Sequence, residues 1–329
     1  MGDGYQQQER DKFFKDIQRL ANDMFLIGTF TSVRPLFNLW ALFRPSKESG
    51  IGSKGKPKDT AFGLYREGSE LRGIYASKRR EAHAACDSIG QSSCDFPSLI
   101  GNDPYYGGLG GEFIISTSSE TSGTIVIRHE MGHSFLEVGE EYDNGSVYSG
   151  CNNAKSLRDI PWKHWLTGPV REEKSNLAAA DYAWYDLAQG PYKVKFNTTG
   201  RFPRWMIRIS ASGVESEGSL KILLDGKAIP WKSTGDLDRH FFEYSSTGNN
   251  GGFKAGMHTL EFRQGFPKNG PSSPIRQLCS VTVQEYAGED EFVLDSSHIS
   301  AYPTIAESQT RKTYRPTNEG VSNNFLLNY

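Results

Sequence analysis

The spacing of apolar residues predicts helices in the first half of the chain. Apolar side chains recur at helical intervals from Arg10 to Met24, and a second helical pattern runs from Arg79 to Ile89. A third helix is predicted after Thr121-Ser122-Gly123-Thr124, because these hydroxyls are candidate N-caps and an apolar run follows them. With the strands predicted around them, these helices indicate an α/β front half.

Shorter apolar patterns predict strands. In the front half they cover Leu36 to Phe43 and Glu112 to Ser118, the second directly before the third predicted helix. From about Gly190 the pattern changes to short alternating strands separated by turn signals, including an Asp225-Gly226 hairpin. The strands of this series are Arg204 to Ile209, Leu220 to Leu224, Thr259 to Phe262 and Leu278 to Val283. The series predicts a small all-β sandwich.

The candidate chemistry lies in His129-Glu130-Met131-Gly132-His133. Residues four apart lie on one face of a helix, so the imidazoles of His129 and His133 can reach one Zn²⁺ from a single turn. Glu130 then points beside the metal towards its bound water. The spacing predicts two zinc ligands and a general base for hydrolysis.

A catalytic zinc normally takes three protein ligands and leaves one position for water. Glu140 is the preferred third candidate, but the helical rise from His133 to Glu140 would be about 10 Å, too far for one ion. The helix must therefore end, and we expect Gly139 to adopt the left-handed turn that ends it. The alternatives that stay open are Glu141, Asp143, Glu172 and Glu173.

Nearly the whole chain carries motifs that occur together in one family. The run from His129 to Phe135 is followed by Gly139-Glu140-Glu141-Tyr142. The other matching segments are Gly2-Asp3-Gly4-Tyr5, Phe37-Asn38-Leu39-Trp40, Ser46 to Gly50, Tyr106 to Gly110, Asn153, Pro161 to Trp165 and Tyr314 to Glu319. In these motifs the chain resembles the IgA peptidase family of zinc metallopeptidases. The resemblance implies Zn²⁺ as cofactor and a protein or peptide substrate.

Two positions depart from the family pattern. Glu140 stands where the family usually has Asp, and it is one methylene longer. Family members also tend to continue beyond the Tyr-Arg-Pro segment into a stretch with a methionine, whereas this chain ends at Tyr329 without one. We expect the C-terminal segment to be truncated or divergent.

The resemblance also implies the domain order. It predicts a zincin-like α/β (α+β) catalytic domain with an inserted all-β sandwich. The predicted boundaries are 1–188 for the metallopeptidase domain, 189–287 for the sandwich and 288–329 for a C-terminal return segment of the peptidase domain. The sandwich is interpreted as an insertion because the Tyr-Arg-Pro segment follows it.

The predicted mechanism uses Zn²⁺ to polarise the scissile carbonyl, while Glu130 takes a proton from water and delivers it to the leaving amine. Candidates for stabilising the oxyanion are Tyr142, His164 and Tyr314. The predicted strand Glu112 to Ser118 is a candidate edge for pairing with an extended substrate, and the loop from Tyr105 to Gly111 would border the cleft.

An alternative hypothesis is a non-catalytic glycan- or protein-binding module on a degenerate metallopeptidase scaffold. The sandwich and the missing methionine stretch motivate it. Cleavage by the wild-type chain but not by a Glu130→Gln variant would separate the two hypotheses.

Composition excludes two classes of partner. A net charge of -2 and a pI near 6.4 provide no bulk attraction to nucleic acid or to anionic lipid. The apolar stretch from Met24 to Phe43 is interrupted by Arg34-Pro35, and a charge at mid-membrane costs about 3 kcal/mol. We therefore expect no nucleic-acid binding and no membrane insertion.

The cysteines and sequons fit a secreted enzyme. An even count of 4 cysteines permits one disulfide between Cys86 and Cys94 and a second between Cys151 and Cys279. The triplets at Asn144 and Asn197 are glycosylation sequons. Since the first residues are polar and show no signal peptide, an extracellular location is inferred from these features alone.

Overall fold

The computed structural model describes residues 1–26, 29–90, 93–143, 150–246, 251–266, 274–306 and 311–318. The chain divides into two compact units, the first formed by residues 1–137 and the second by residues 138–321. Each unit has its own sheets and its own buried apolar core.

The α-helices of the described residues all lie in the first unit. They are α1 (Arg10–Met24), α2 (Thr29–Val33), α3 (Arg79–Asp87) and α4 (Gly123–Leu136). Short 3-10 turns cover Gln7–Glu9, Arg34–Leu36, Lys163–Trp165 and Leu187–Gln189. The first predicted helix is confirmed, and the second ends at Asp87, two residues before the predicted Ile89. Across the described ranges, no helix combines the length and the apolar character that a membrane span requires.

The strands of the first unit form a small parallel sheet and a hairpin. They are β1 (Gly2–Asp3), β2 (Leu64–Tyr65), β3 (Tyr75–Ala76), β4 (Ser98–Gly101) and β5 (Ile114–Thr117). The parallel sheet has the order β1-β4-β5, and β2 pairs with β3 in an antiparallel hairpin. Strand β5 confirms the predicted strand that leads into the third helix of the prediction, α4.

The core of the first unit joins its sheet to α3. Phe62, Leu64 and Leu99 are fully buried in one apolar cluster that also includes Ala82 and Cys86 of α3. Cys86 forms a disulfide with Cys94, as predicted. The bond fixes the C-terminal end of α3 to the segment that leads into β4.

The strand predicted from Leu36 to Phe43 is wrong. Residues 34–36 form a 3-10 turn, and residues 37–43 have no regular structure. Ring contacts hold the segment instead, with Phe37 packed on Phe135 at 4.7 Å and Phe43 on Phe13 at 5.5 Å between ring centroids. Phe37, Leu42 and Phe43 are partly buried, whereas Leu36, Leu39 and Trp40 are exposed, so the apolar pattern does not form one buried face. A strand also needs a main-chain partner, and the described residues provide none here.

The second unit contains two antiparallel sheets. Its strands are β6 (Ser175–Asp181), β7 (Tyr185–Asp186), β8 (Tyr192–Thr198), β9 (Arg204–Ser212), β10 (Leu220–Leu224), β11 (Lys227–Ile229), β12 (His240–Ser245), β13 (Gly256–Gln264), β14 (Gln277–Tyr286), β15 (Tyr302–Ala306) and β16 (Arg311–Arg315). One sheet has the order β11-β10-β13-β8, and the other has the order β12-β9-β14-β6 with β7 beside β14. β15 and β16 form a separate hairpin.

The two larger sheets share one core, so the predicted sandwich is confirmed. Ile222 and Phe262 of one sheet belong to the same buried cluster as Ile207, Ile209 and Val283 of the other. Strands β6 and β7 join the sandwich although they precede residue 189, the predicted start of this domain.

The predicted hairpin between β10 and β11 is confirmed. Leu224 pairs with Lys227 around Asp225 and Gly226, whose φ angles of 50° and 79° are typical of a tight hairpin turn.

The predicted disulfide between Cys151 and Cys279 is wrong. Cys279 is buried in β14, where its Sγ atom lies 3.9 Å from Ser212 Oγ, whereas Cys151 is exposed. The even cysteine count permits this pairing but does not specify which sulfurs meet.

The chain segments before and after the sandwich pair with each other. Ala154 forms an antiparallel bridge with Tyr314, and Glu172 forms a parallel bridge with Ala301. The indole of Trp162 donates to Ser300 O at 2.8 Å in the same region. The chain thus enters and leaves the sandwich through neighbouring segments.

Removing one core side chain tests the sandwich. Ile222→Ala should lower the free energy of unfolding by about 2–5 kcal/mol, because Ile222 is fully buried between the sheets. Lys221→Ala is the matched control, since the preceding residue of β10 is exposed and should change stability by less than about 0.5 kcal/mol. Urea unfolding followed by tryptophan fluorescence measures both, and equal losses would contradict the assignment of faces.

Candidate metal centre

Helix α4 is buried because apolar residues occur around most of its circumference. Val126, Ile127 and Met131 are buried in it, together with His129. Ser122 occupies the predicted N-cap position, although its hydroxyl donates to Ser119 Oγ at 2.9 Å instead of capping a helix N–H. Because α4 is packed on most of its sides, its polar side chains have little freedom to move.

Arg128 fixes α4 against the end of α1. Its guanidinium donates to Met24 O at 3.3 Å and to Asp23 O. A cation at the C-terminal carbonyls of a helix is electrostatically favourable, and these carbonyls have no partner within the helix. The residue beside His129 therefore sets the position of the motif in the first unit.

The imidazoles of His129 and His133 converge. Their Nε2 atoms lie 3.0 Å apart, with ring planes at 83°. Zinc–nitrogen bonds are about 2.0–2.1 Å, so two nitrogens at this separation can both bind one ion at an angle of about 95°. Ligand atoms of His129, Glu130 and His133 lie within 4.8 Å of one another. The donor types and their spacing fit zinc.

The loop ahead of β5 reaches the carboxylate of Glu130. A Cβ atom built on Gly110 would lie 2.4 Å from Glu130 Oε2, so the Gly110 backbone lies directly against this group. Leu109 exchanges two main-chain hydrogen bonds with Ile115, at 3.2 and 2.9 Å. The edge of β5 that was predicted to bind substrate is therefore already occupied at Ile115 by this loop.

The family comparison identifies the group of proteins to which this chain is related. The sequence matches the family described as IgA Peptidase M64 over residues 1–190, more than half of the 329 residues and including all of α4. The chain belongs to the IgA peptidase M64 family. Membership supports a peptidase that acts on protein or peptide substrates, and it implies a metal.

The other comparisons do not extend this assignment. A search of curated proteins found no match to this chain. Similar solved structures include a family 35 carbohydrate binding module from Clostridium thermocellum (12% identity, 33% of this chain and 90% of that chain, TM-score 0.20). CBM35 from Paenibacillus barcinonensis is 14% identical and covers 33% of this chain and 91% of that chain, with a TM-score of 0.18. A ruminal GH26 endo-beta-1,4-mannanase is 14% identical and covers 43% of this chain and 25% of that chain, with a TM-score of 0.20. TM-scores this low assign neither a fold nor a ligand.

Two alternative third ligands of this M64 peptidase, Glu141 and Asp143, have buried structural partners. Glu141 accepts a hydrogen bond from Asn152 Nδ2 at 2.7 Å. Asp143 accepts from Gln284 Nε2 at 2.6 Å and from Ile305 N–H at 2.9 Å, and burial raises the pKa of its carboxyl group. Both carboxyl groups hold the second unit together.

The other two alternatives are similarly engaged. Glu172 accepts from the hydroxyl of Tyr314 at 2.9 Å and pairs with Lys312. Glu173 is fully buried and accepts from Arg171 Nε at 2.9 Å and from Val293 N–H at 3.0 Å. Each carboxylate therefore has an evident structural role in the second unit.

The chain turns after α4 at a residue other than the predicted Gly139. Glu137 adopts the left-handed conformation, with φ 53° and ψ 33°. Gly139 is instead held by Asn152, whose side chain accepts from its N–H at 2.6 Å and donates to its carbonyl at 2.9 Å. The partly buried Glu140 follows, and its Oε1 accepts from Glu141 N–H at 3.1 Å. No local sequence signal points to Asn152, because it is thirteen residues from Gly139.

The three predicted oxyanion stabilisers lie in different environments of the second unit. Tyr142 is partly buried just after Glu140 and Glu141, whereas His164 is exposed on a 3-10 turn beside Trp165. Tyr314 donates its hydroxyl to Glu172, and burial, reinforced by that carboxylate, raises its pKa to about 12.

Tyr182 is a further phenol beside the candidate ligand Glu140, and the sequence patterns do not indicate it. Its hydroxyl donates to Asp143 O at 2.9 Å. Burial raises the pKa of Tyr182, and the charges of Asp143 and Glu140 raise it further. The phenol therefore stays protonated as a hydrogen-bond donor near Glu140.

Proposed function

We propose that this protein is a zinc-dependent metalloendopeptidase. The observation that carries the proposal is the 3.0 Å approach of two imidazole Nε2 atoms beside Glu130 on a buried helix. Two core histidines without a metal would each be expected to bond a separate acceptor. Two nitrogen donors directed to one point, with a carboxylate next to them, support a metal and a base.

Each side chain has a defined role in the proposed reaction. His129 and His133 hold the ion, which when bound supplies a Lewis acid for the scissile carbonyl and lowers the pKa of water towards 7. Glu130 accepts a proton from the attacking water and transfers it to the leaving amine. The carbon–oxygen bond forms first and gives a tetrahedral oxyanion, and the carbon–nitrogen bond breaks when this oxyanion collapses and the amine takes up the proton. Water is the only co-reactant.

Glu140 is the proposed third ligand. Support comes from the engagement of its four competitors in buried or paired contacts of the second unit. The Asn152 contacts to Gly139 and Glu141 also restrain the segment that presents Glu140, which favours a pre-organised ligand.

Tyr142, His164 and Tyr314 remain the proposed oxyanion stabilisers. Tyr142 is the nearest of them in sequence to the proposed ligand. Tyr314 would have to exchange its bond to Glu172 for one to the substrate, which makes it a weaker donor for this role.

An extracellular location is proposed for the enzyme. The Cys86–Cys94 disulfide is typical of an oxidising compartment. Asn197 of the second sequon is exposed on β8, where a glycan could be attached, while Asn144 lies outside the described residues.

Metal removal tests the proposal. Incubation with a chelator should abolish cleavage of an unfolded protein such as reduced casein, and one equivalent of Zn²⁺ per chain should restore it. Elemental analysis of the active protein gives the metal and its stoichiometry. Full cleavage by protein from which all metal has been removed would contradict the proposal.

A further inference from the structure

We propose that Gly110 is a positioning residue for the general base, because the absence of a side chain at Gly110 leaves the space that the Glu130 carboxylate occupies. The inference rests on the proposed role of Glu130. It concerns the strand-like segment Gly108-Leu109-Gly110, which passes along α4 in the first unit.

This segment is fixed on both sides by main-chain hydrogen bonds. Leu109 pairs in both directions with Ile115 of β5, at 3.2 and 2.9 Å. On the opposite side, Gly108 donates to Arg72 O at 3.3 Å and accepts from Ile74 N–H at 3.4 Å. The glycines are therefore held in place, and the segment can act as a rigid surface for the helix.

The spacing of the two glycines matches the spacing of two side chains on α4. A Cβ atom on Gly108 would lie 2.3 Å from Val126 Cγ1, and one on Gly110 would lie 2.4 Å from Glu130 Oε2. Two residues of extended chain advance about 6.7 Å, and four residues of helix rise about 6 Å. The segment and the helix thus run side by side, with a glycine at each of two successive contacts.

The two glycines differ in what surrounds them. A Cβ atom on Gly108 would also lie 2.5 Å from the Ile115 carbonyl oxygen, which is backbone and cannot move without disturbing the sheet. Among the described residues, all the atoms that a Cβ atom on Gly110 would meet within 4 Å belong to the Glu130 side chain. Gly110 also lacks a positive φ, so alanine fits its backbone. An alanine substitution at this position should therefore move the carboxylate and leave the fold intact.

The first experiment compares Gly110→Ala with wild type in the zinc-loaded enzyme. We expect kcat to fall by about 10–100-fold, because a displacement of about 1 Å at a reacting group can cost 10²-fold. The value of KM, the zinc content and the melting temperature should stay unchanged. Gly168→Ala is the matched control, since no described atom lies within 4 Å of its Cβ position and its φ is not positive.

A crystal structure of metal-free Gly110→Ala protein provides a readout that does not depend on activity. The Glu130 carboxylate should be displaced, while α4 and β5 superpose on wild type. An unmoved carboxylate, or a variant that fails to fold, would overturn the inference, because the described atoms in the way are those of a flexible side chain.

A double-mutant cycle with Glu130→Asp separates positioning from a general loss. Aspartate is one methylene shorter and leaves room for the new methyl group. Glu130→Asp should therefore lower kcat less in the Gly110→Ala background than in wild type, whereas additive losses would oppose the inference.

The failure of the proposed function and the failure of this inference give different results. If Glu130→Gln left cleavage intact, the proposed function itself would fail. If that variant is inactive but Gly110→Ala is fully active, only the positioning role fails.

Discussion

Glu130→Gln should reduce kcat for peptide cleavage by about 10²–10⁴-fold, the usual contribution of a positioned general base. Glutamine keeps the length and shape of the side chain, including its contact with Gly110, but its amide cannot take a proton from water. Zinc content should not change, because His129 and His133 keep their positions. Steady-state kinetics on an internally quenched peptide and elemental analysis of the same sample measure both quantities.

Glu137→Gln is the control for this substitution, since Glu137 is exposed at the end of the same helix. It should retain wild-type kcat. Unchanged cleavage by the Glu130→Gln variant would exclude Glu130 as the base. Absence of cleavage by folded, zinc-loaded wild type would instead favour the alternative of a binding module on a degenerate scaffold.

Glu140→Ala should weaken zinc binding by more than about 100-fold, because loss of even an outer contact to a ligand typically costs 10–100-fold in affinity. Glu140→Asp should retain part of the affinity, since the family usually places the shorter carboxylate here. Competition with a chromophoric chelator measures the dissociation constants. The rise in melting temperature on adding zinc is an independent measurement, because a ligand that binds only the folded state stabilises it more at a given concentration when its Kd is lower.

Glu141→Gln is the matched control for the third ligand, since glutamine can still accept the hydrogen bond from Asn152. It should bind zinc as wild type does. If Glu140→Ala kept its zinc while Glu172→Gln or a variant of Glu173 lost it, the third ligand would have to be reassigned to that carboxylate.

Local patterns predict local structure well in this chain. The helix from Arg10 to Met24 and the turn at Asp225-Gly226 depend on contacts within a few residues, and both are confirmed. The segment from Leu36 to Phe43 has an equally regular pattern but is not a strand. Its structure depends on Phe135 and Phe13, which are distant in sequence and provide rings rather than a main-chain edge.

The same distinction applies to the candidate site. His129, Glu130 and His133 could be grouped from the sequence because the geometry of one helix brings them together. The end of that helix could not be placed, since it depends on the left-handed Glu137 and on Asn152 from a later segment. The sequence places Gly110 in a loop beside the predicted cleft, but its contact with Glu130 depends on the packing of that loop against α4 and could not be predicted.

The bridge between Glu172 and Ala301 has an evolutionary consequence. The segment before the sandwich passes through Glu172, and the segment after it passes through Ala301. The two segments run parallel at the spacing of neighbouring strands, about 4.8 Å. A module inserted between two such points can be gained, exchanged or lost by a simple cut-and-join of the gene, because the host scaffold only has to close a gap of one strand spacing. On the proposed domain order, relatives in the M64 family can therefore carry a different segment between these two positions, or none.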